Sequence, residues 1–156
     1  MAELGVAESF DNQKILTDLD PADFIPHRAP FLLVSKIEKL VPGKSAKGYW
    51  QLKGDEYFFS GHFPGRPTLP GVLMVESLAQ LGAAAVLAHP SYSGLLPLFG
   101  GIDKARFRQQ VVPGDMLDLE VSMTKLSTRA GKGLARASVG GATACEAELL
   151  FVFAPK

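Results

Sequence analysis

Cysteine, excess charge and long apolar runs are all scarce in this sequence, and each scarcity closes off a class of protein. Cys145 is the only cysteine. That excludes an internal disulfide framework and any metal site built from several thiolates, and it fits a reducing compartment. Sixteen basic residues against sixteen acidic ones leave a formal net charge of zero, so no global field draws the chain to nucleic acid or to an anionic membrane. The most apolar helical stretch, residues 77–88, contains Gln80 and falls short of the ~20 residues needed to cross a bilayer. The first eight residues carry Glu3 and Glu8, where a secretory leader needs a basic start and an apolar core. A cytoplasmic protein with no membrane insertion is expected.

Cofactor and nucleophile motifs are missing as well. Gly43-Lys44-Ser45 ends like a phosphate-binding loop, but Glu38 stands where that motif needs glycine and no helical pattern follows. Gly131-Lys132-Gly133-Leu134-Ala135-Arg136 lacks the third glycine of a dinucleotide fingerprint. There is no Gly-x-Ser-x-Gly elbow, Cys145 lies in a strand-like segment, and His27, His62 and His89 show no metal-ligand spacing. Neither a nucleotide cofactor nor a metal is expected.

What is present fits one domain, since 156 residues with 47% hydrophobic content supply a single core and little more. Residues 1–20 carry scattered charge without sustained periodicity and are expected to be a partly mobile extension, with the domain at 21–156. Phe31 to Val34, with Ile37 and Leu40, reads as a strand, and Val41-Pro42-Gly43-Lys44 turns it into a second strand at residues 46–52. Residues 60–71 hold three prolines and three glycines in twelve positions and must form a shaped loop. From Pro70 to His89, apolar residues recur at helical spacing. Strands are then expected at 96–102, 105–112, 116–126, 134–139 and 142–153. One helix among many strands indicates an α+β protein whose antiparallel sheet packs on that helix.

Two ionisable residues stand out. His62 lies between Gly61 and Phe63 in the shaped loop, where a side chain titrating near neutrality suits a general base. A loop histidine also serves as a solvated or packing residue, so it assigns nothing alone. Glu76 is the only charged residue between Val72 and Ala88. In such apolar surroundings a carboxylate is costly unless paired or protonated, and desolvation would raise its pKa and make it a usable acid. Gln80, one turn along the same face, is placed to hold the carboxyl. The competing interpretation is a polar stripe facing solvent, although one charge over such a length dresses that stripe thinly. Pro70-Gly71 starts the helix, whose first amides lack intrahelical acceptors and can polarise a carbonyl. Lys104, Arg106 and Arg108 alternate, as residues on one face of a strand do. That face is either a solvated edge or a receiver for an acidic partner.

The run from Gly61-His62-Phe63-Pro64-Gly65-Arg66-Pro67-Thr68-Leu69-Pro70-Gly71 to Val72-Leu73-Met74-Val75-Glu76-Ser77-Leu78-Ala79-Gln80 closely resembles the signature of the 3-hydroxyacyl-acyl-carrier-protein dehydratases of the FabZ type. The likeness extends back through Ile25-Pro26-His27-Arg28-Ala29-Pro30 and forward through Ile102-Asp103-Lys104-Ala105-Arg106-Phe107, covering residues 21–153. It implies a hot-dog fold, a long central helix wrapped by an antiparallel sheet. It also implies a cytoplasmic enzyme of fatty acid biosynthesis that needs no cofactor and works as a homodimer, or as three dimers together. In family terms His62 handles the proton beside the thioester and Glu76, from the other subunit, acts on the departing hydroxyl. The Gly71 amide holds the thioester oxygen, Gln80 supports the site, and Phe63 and Val72 join the substrate contacts. Acyl carrier protein bearing a 3-hydroxyacyl group is the implied partner, with Lys104, Arg106 and Arg108 as its docking face. Glu rather than Asp at position 76 favours plain dehydration over isomerisation. Leu69, where Met is common, and Gln109-Gln110, in place of a basic-Pro pair, bear on specificity. A hot-dog thioesterase directing water onto the thioester, or a non-catalytic carrier-binding module, are the alternatives.

Overall fold

Between Leu73 and Leu87 only Glu76 is charged, so a helix over this stretch has almost no face to give to water and must be enclosed. The computed structural model, which describes residues 14–156, encloses it. The helix α1 (Gly71–Leu87) is packed against a seven-stranded sheet. Its strands are β1 (Leu16–Leu19), β2 (Lys36–Val41), β3 (Ser45–Gln51), β4 (Leu95–Phe107), β5 (Met116–Leu126), β6 (Ala130–Val139) and β7 (Ala142–Pro155). They lie in the order β1-β2-β3-β5-β6-β7-β4, and every pairing is antiparallel.

The sheet accommodates the helix by lining its path with small side chains. Ala135, Ala137 and Ala147 are buried in β6 and β7 beside the larger Leu119, Val121 and Leu149, while Leu78, Leu81 and Ala84 come from the helix. Each fully buried leucine here contributes roughly 1.5–3 kcal/mol of apolar transfer. Contact is tight at Gly82. A Cβ there would lie 2.8 Å from Phe151 Cζ and 3.2 Å from Val121 Cγ1, so the helix approaches the sheet as nearly as it does only because this position has no side chain.

Three segments differ from the sequence expectation. Phe31 to Val34 is not a strand, although Leu33 and Val34 are buried. Its backbone is bonded by helix side chains instead of a neighbouring strand. Leu33 N donates to Gln80 Oε1, Ser77 Oγ donates to Leu33 O, and Gln80 Nε2 donates to Phe31 O. The apolar pattern reported burial correctly, but burial does not specify which partner satisfies the peptide groups. The strands expected at 96–102 and 105–112 are one strand, β4, ending at Phe107, with register shifts at Phe99/Gly101 and Asp103/Arg106. Order also begins before residue 21. Leu16–Leu19 pairs with β2, its leucines rest on the core, and Lys36 Nζ donates to Asp18 Oδ1 at 2.6 Å. The rest of the expected extension, residues 1–13, lies outside the described residues.

Candidate active site

The proline- and glycine-rich loop begins in a 3₁₀ turn, Phe59–Gly61, and His62 follows with its N–H bonded to Phe59 O. The peptide bond from His62 to Phe63 is cis. Thr68 closes the loop on the histidine twice. Its N–H donates to His62 O at 2.7 Å, and its carbonyl lies 2.8 Å from His62 Nδ1. A carbonyl can only accept, so Nδ1 carries the ring hydrogen and Nε2 is left as the basic nitrogen. Gln110 Nε2 donates to Thr68 Oγ1 at 2.6 Å and steadies the residue that steadies His62. Gln110 was noted in the sequence as a departure from the family pattern; its structural part could not be read there.

His62, Thr68, Gly71, Val72, Phe107 and Gln110 line an open groove of about 520 Å³. Gly71 begins α1 in this groove with no side-chain cap on the preceding Pro70, so first-turn amides that lack intrahelical acceptors are presented there. The Phe107 ring packs on the glycine, where a Cβ would meet it at 2.8 Å. Val72 is 71% exposed at the rim. Phe63 is exposed too and stacks on the imidazole with ring centroids 4.1 Å apart, but it lines a neighbouring groove with Tyr57 and Pro67.

Glu76 opens elsewhere. It lines a narrow cleft of about 50 Å³ with His27, Ala83, Leu98, Phe99 and Phe151. Gln80 Nε2 donates to Glu76 Oε2 at 2.9 Å, as one turn of helix allows. Gln80 is only 1% exposed and is also bonded to Phe31 and Leu33, so its amide is fixed on the protein side of the carboxylate. His27 Nε2 lies 3.8 Å from Glu76 Oε2. Sequence reasoning did not select His27, because a histidine 49 positions before Glu76 obeys no spacing rule that would find it.

The three cations noted in the sequence lie on and just after β4. Lys104 sits in the second register shift with φ +52°. Lys104 Nζ lies 3.1 Å from Glu148 Oε2, and Arg108 Nη2 lies 2.6 Å from Glu146 Oε1. Arg106 Nη1 donates to Ala105 O. Cys145 is buried, and burial with help from Glu146 pushes its thiol up to about 11, so it supplies little thiolate near neutrality. Among the described residues no cluster of His, Cys, Asp and Glu could hold a metal ion, and no helix is long and apolar enough to cross a membrane.

Comparison with known proteins shows the family. The FabA-like domain family matches residues 25–148. A 3-hydroxyacyl-acyl-carrier-protein dehydratase FabZ of Clostridium botulinum (strain Hall) is 53% identical over 140 residues, 90% of this chain and 97% of the relative. The protein of the same name from Moorella thermoacetica is 53% identical over 132 residues, 85% of this chain and 92% of the relative. Among solved structures, the dehydratase heterocomplex ApeI:P from Xenorhabdus doucetiae superposes with a TM-score of 0.75 at 17% identity, covering 88% of this chain and 93% of that one. A sigma28-regulated virulence protein from Campylobacter jejuni gives 0.66 at 13% identity, covering 87% and 88%. Those two likenesses are of fold alone.

Proposed function

The chain belongs to the FabA-like family, and from that premise we propose that His62 and Glu76, brought together from two subunits, are the acid and base of its reaction. The fold is the hot-dog fold, and the protein is an enzyme: it dehydrates 3-hydroxyacyl groups on acyl carrier protein in fatty acid biosynthesis.

The reaction needs a base for a proton on C2, an acid for the hydroxyl on C3, and donors for the charge that develops on the thioester oxygen. His62 Nε2 takes the C2 proton. The Gly71 N–H stabilises the resulting enolate oxygen. Electrons return to form the C2–C3 double bond, the C3–O bond breaks, and protonated Glu76 gives its proton to the departing hydroxyl, which leaves as water. The elimination is redox-neutral, so it asks for no electron carrier. The observation that carries this reading is the His62 Nδ1 to Thr68 O bond, which leaves the basic nitrogen free in the groove where α1 begins.

Within one chain the two residues open into different grooves, and this supports a site completed by a second copy. The edge strand β4, which among the described residues has β7 as its one neighbour in the sheet, exposes Leu98, Phe99, Ile102 and Phe107. An exposed apolar edge is the surface a second sheet extends. Under this reading one dimer contains two whole sites, and a trimer of dimers contains six. Lys104, Arg106 and Arg108 are proposed to receive the acidic carrier protein, with the cytoplasm as the place of action.

The test is to give the purified protein 3-hydroxyacyl carrier-protein substrates of graded chain length and weigh the products. Loss of one water with the thioester intact is expected. Release of free carrier thiol would instead mark a thioesterase, and binding without turnover a non-catalytic module.

A further inference from the structure

Three observations meet at His27. Its Nε2 lies 3.8 Å from Glu76 Oε2, with the two side chains 25% and 20% exposed. Its Nδ1 is the one buried side-chain nitrogen or oxygen among the described residues without a hydrogen-bond partner. Its backbone is held by Arg28, whose Nη1 donates to Ile25 O at 2.8 Å and to His27 O at 2.7 Å. The family resemblance assigned no role to this residue.

We infer that His27 is a positioning residue that acts through Glu76, its Nε2–H serving with the Gln80 amide to hold Oε2 so that Oε1 alone serves the substrate. A hydrogen on Nδ1 would be a buried donor with no acceptor, which is costly. The lone pair therefore belongs on Nδ1 and the ring hydrogen on Nε2, pointing at the carboxylate. Gln80 Nε2 approaches the same oxygen at 2.9 Å, so Oε2 has two donors on it and Oε1 is left for chemistry. At 3.8 Å the histidine contact is longer than a hydrogen bond. Contacts of this kind tighten when the site is loaded, and here tightening is rewarded as Glu76 gives up its proton and its carboxylate becomes negative. The donor then stabilises the transition state more than the bound substrate, which raises kcat without tightening binding. His27 and Glu76 are the titratable groups that line this cleft; Ala79, Ala83, Leu98, Phe99 and Phe151 supply apolar walls.

This inference rests on Glu76 being the acid, so Glu76→Gln is measured beside it. In His27→Phe, which keeps a ring and loses the donor, kcat should fall on the order of 10- to 100-fold, the weight of a hydrogen bond to a charged group. KM should stay within about threefold, because the substrate is not what His27 touches. His27→Gln restores an N–H and should recover most of the loss. Should the Phe variant fail to melt cooperatively, His27→Ala replaces it. Wild-type kcat in a folded donor-free variant, a loss confined to KM, or a Gln variant no better than Phe would overturn the inference. If Glu76→Gln itself turns over normally, the acid assignment fails first. A dead Glu76→Gln beside a normal His27→Phe sinks the positioning role alone.

Discussion

Within one chain, His62 opens into the groove lined by Gly71 and Phe107, while Glu76 opens into a separate cleft lined by Ala83 and Phe99. If a working site takes one residue from each of two subunits, a dimer of one His62→Ala chain and one Glu76→Gln chain has one doubly damaged site and one intact site. Equal mixing with free exchange makes half the dimers mixed, so activity should return to about a quarter of wild type under two-fold assembly. No recovery, with exchange verified by mass spectrometry, would refute the shared site even if both residues proved essential.

The separate variants test the chemistry. His62→Ala and Glu76→Gln should each lower turnover by at least ~10²-fold with the melting temperature little changed, since each removes a proton-transfer group from a partly open position. Near-normal turnover in either folded variant removes that residue from the mechanism.

Carrier docking is tested by reversing Lys104 and Arg106 while leaving Arg108, which lines the His62 groove, in place. Rim charges act through encounter, so KM for carrier-linked substrate should rise at least ~3-fold and the rise should shrink in high salt. A short carrier-free thioester should react as before. Equal losses on both substrates would mark the face as structural.

Gly82 tests the packing of the helix. With Phe151 Cζ 2.8 Å from where a Cβ would be, Gly82→Val should destabilise by about 1–3 kcal/mol through overpacking. Gly94, where a Cβ meets nothing within 4 Å, has φ +86° and would suffer only backbone strain. Denaturant melts of Gly82→Val that match wild type would show that the helix can shift away from the sheet freely.

At high pH, Tyr92 should report unfolding. Its hydroxyl donates to Ser127 O, and burial pushes it up from 10.0 to about 12. A pKa raised on folding stabilises fully below the unfolded value and is lost as pH rises through the folded one. Stability should therefore decline between pH 10 and 12, and Tyr92→Phe should flatten that decline. Identical slopes for the two proteins would mean another group governs it.

The sequence by itself determined the helix and its burial, and it singled out the two residues proposed to act. A stretch with one charge can form only an enclosed helix, and a loop crowded with proline and glycine can only be shaped around something, so Glu76 and His62 were conspicuous from composition and spacing. Tertiary structure decided what depends on contacts between distant segments. Gln80 serves three groups because the 31–33 segment lies across the helix, and His27 meets Glu76 from 49 positions away. The register shift that falls at Lys104 in β4 is likewise set against β7. Periodicity describes how one segment presents its side chains, whereas hydrogen-bond partners and register shifts are settled between segments, when buried peptide groups compete for the donors and acceptors within reach.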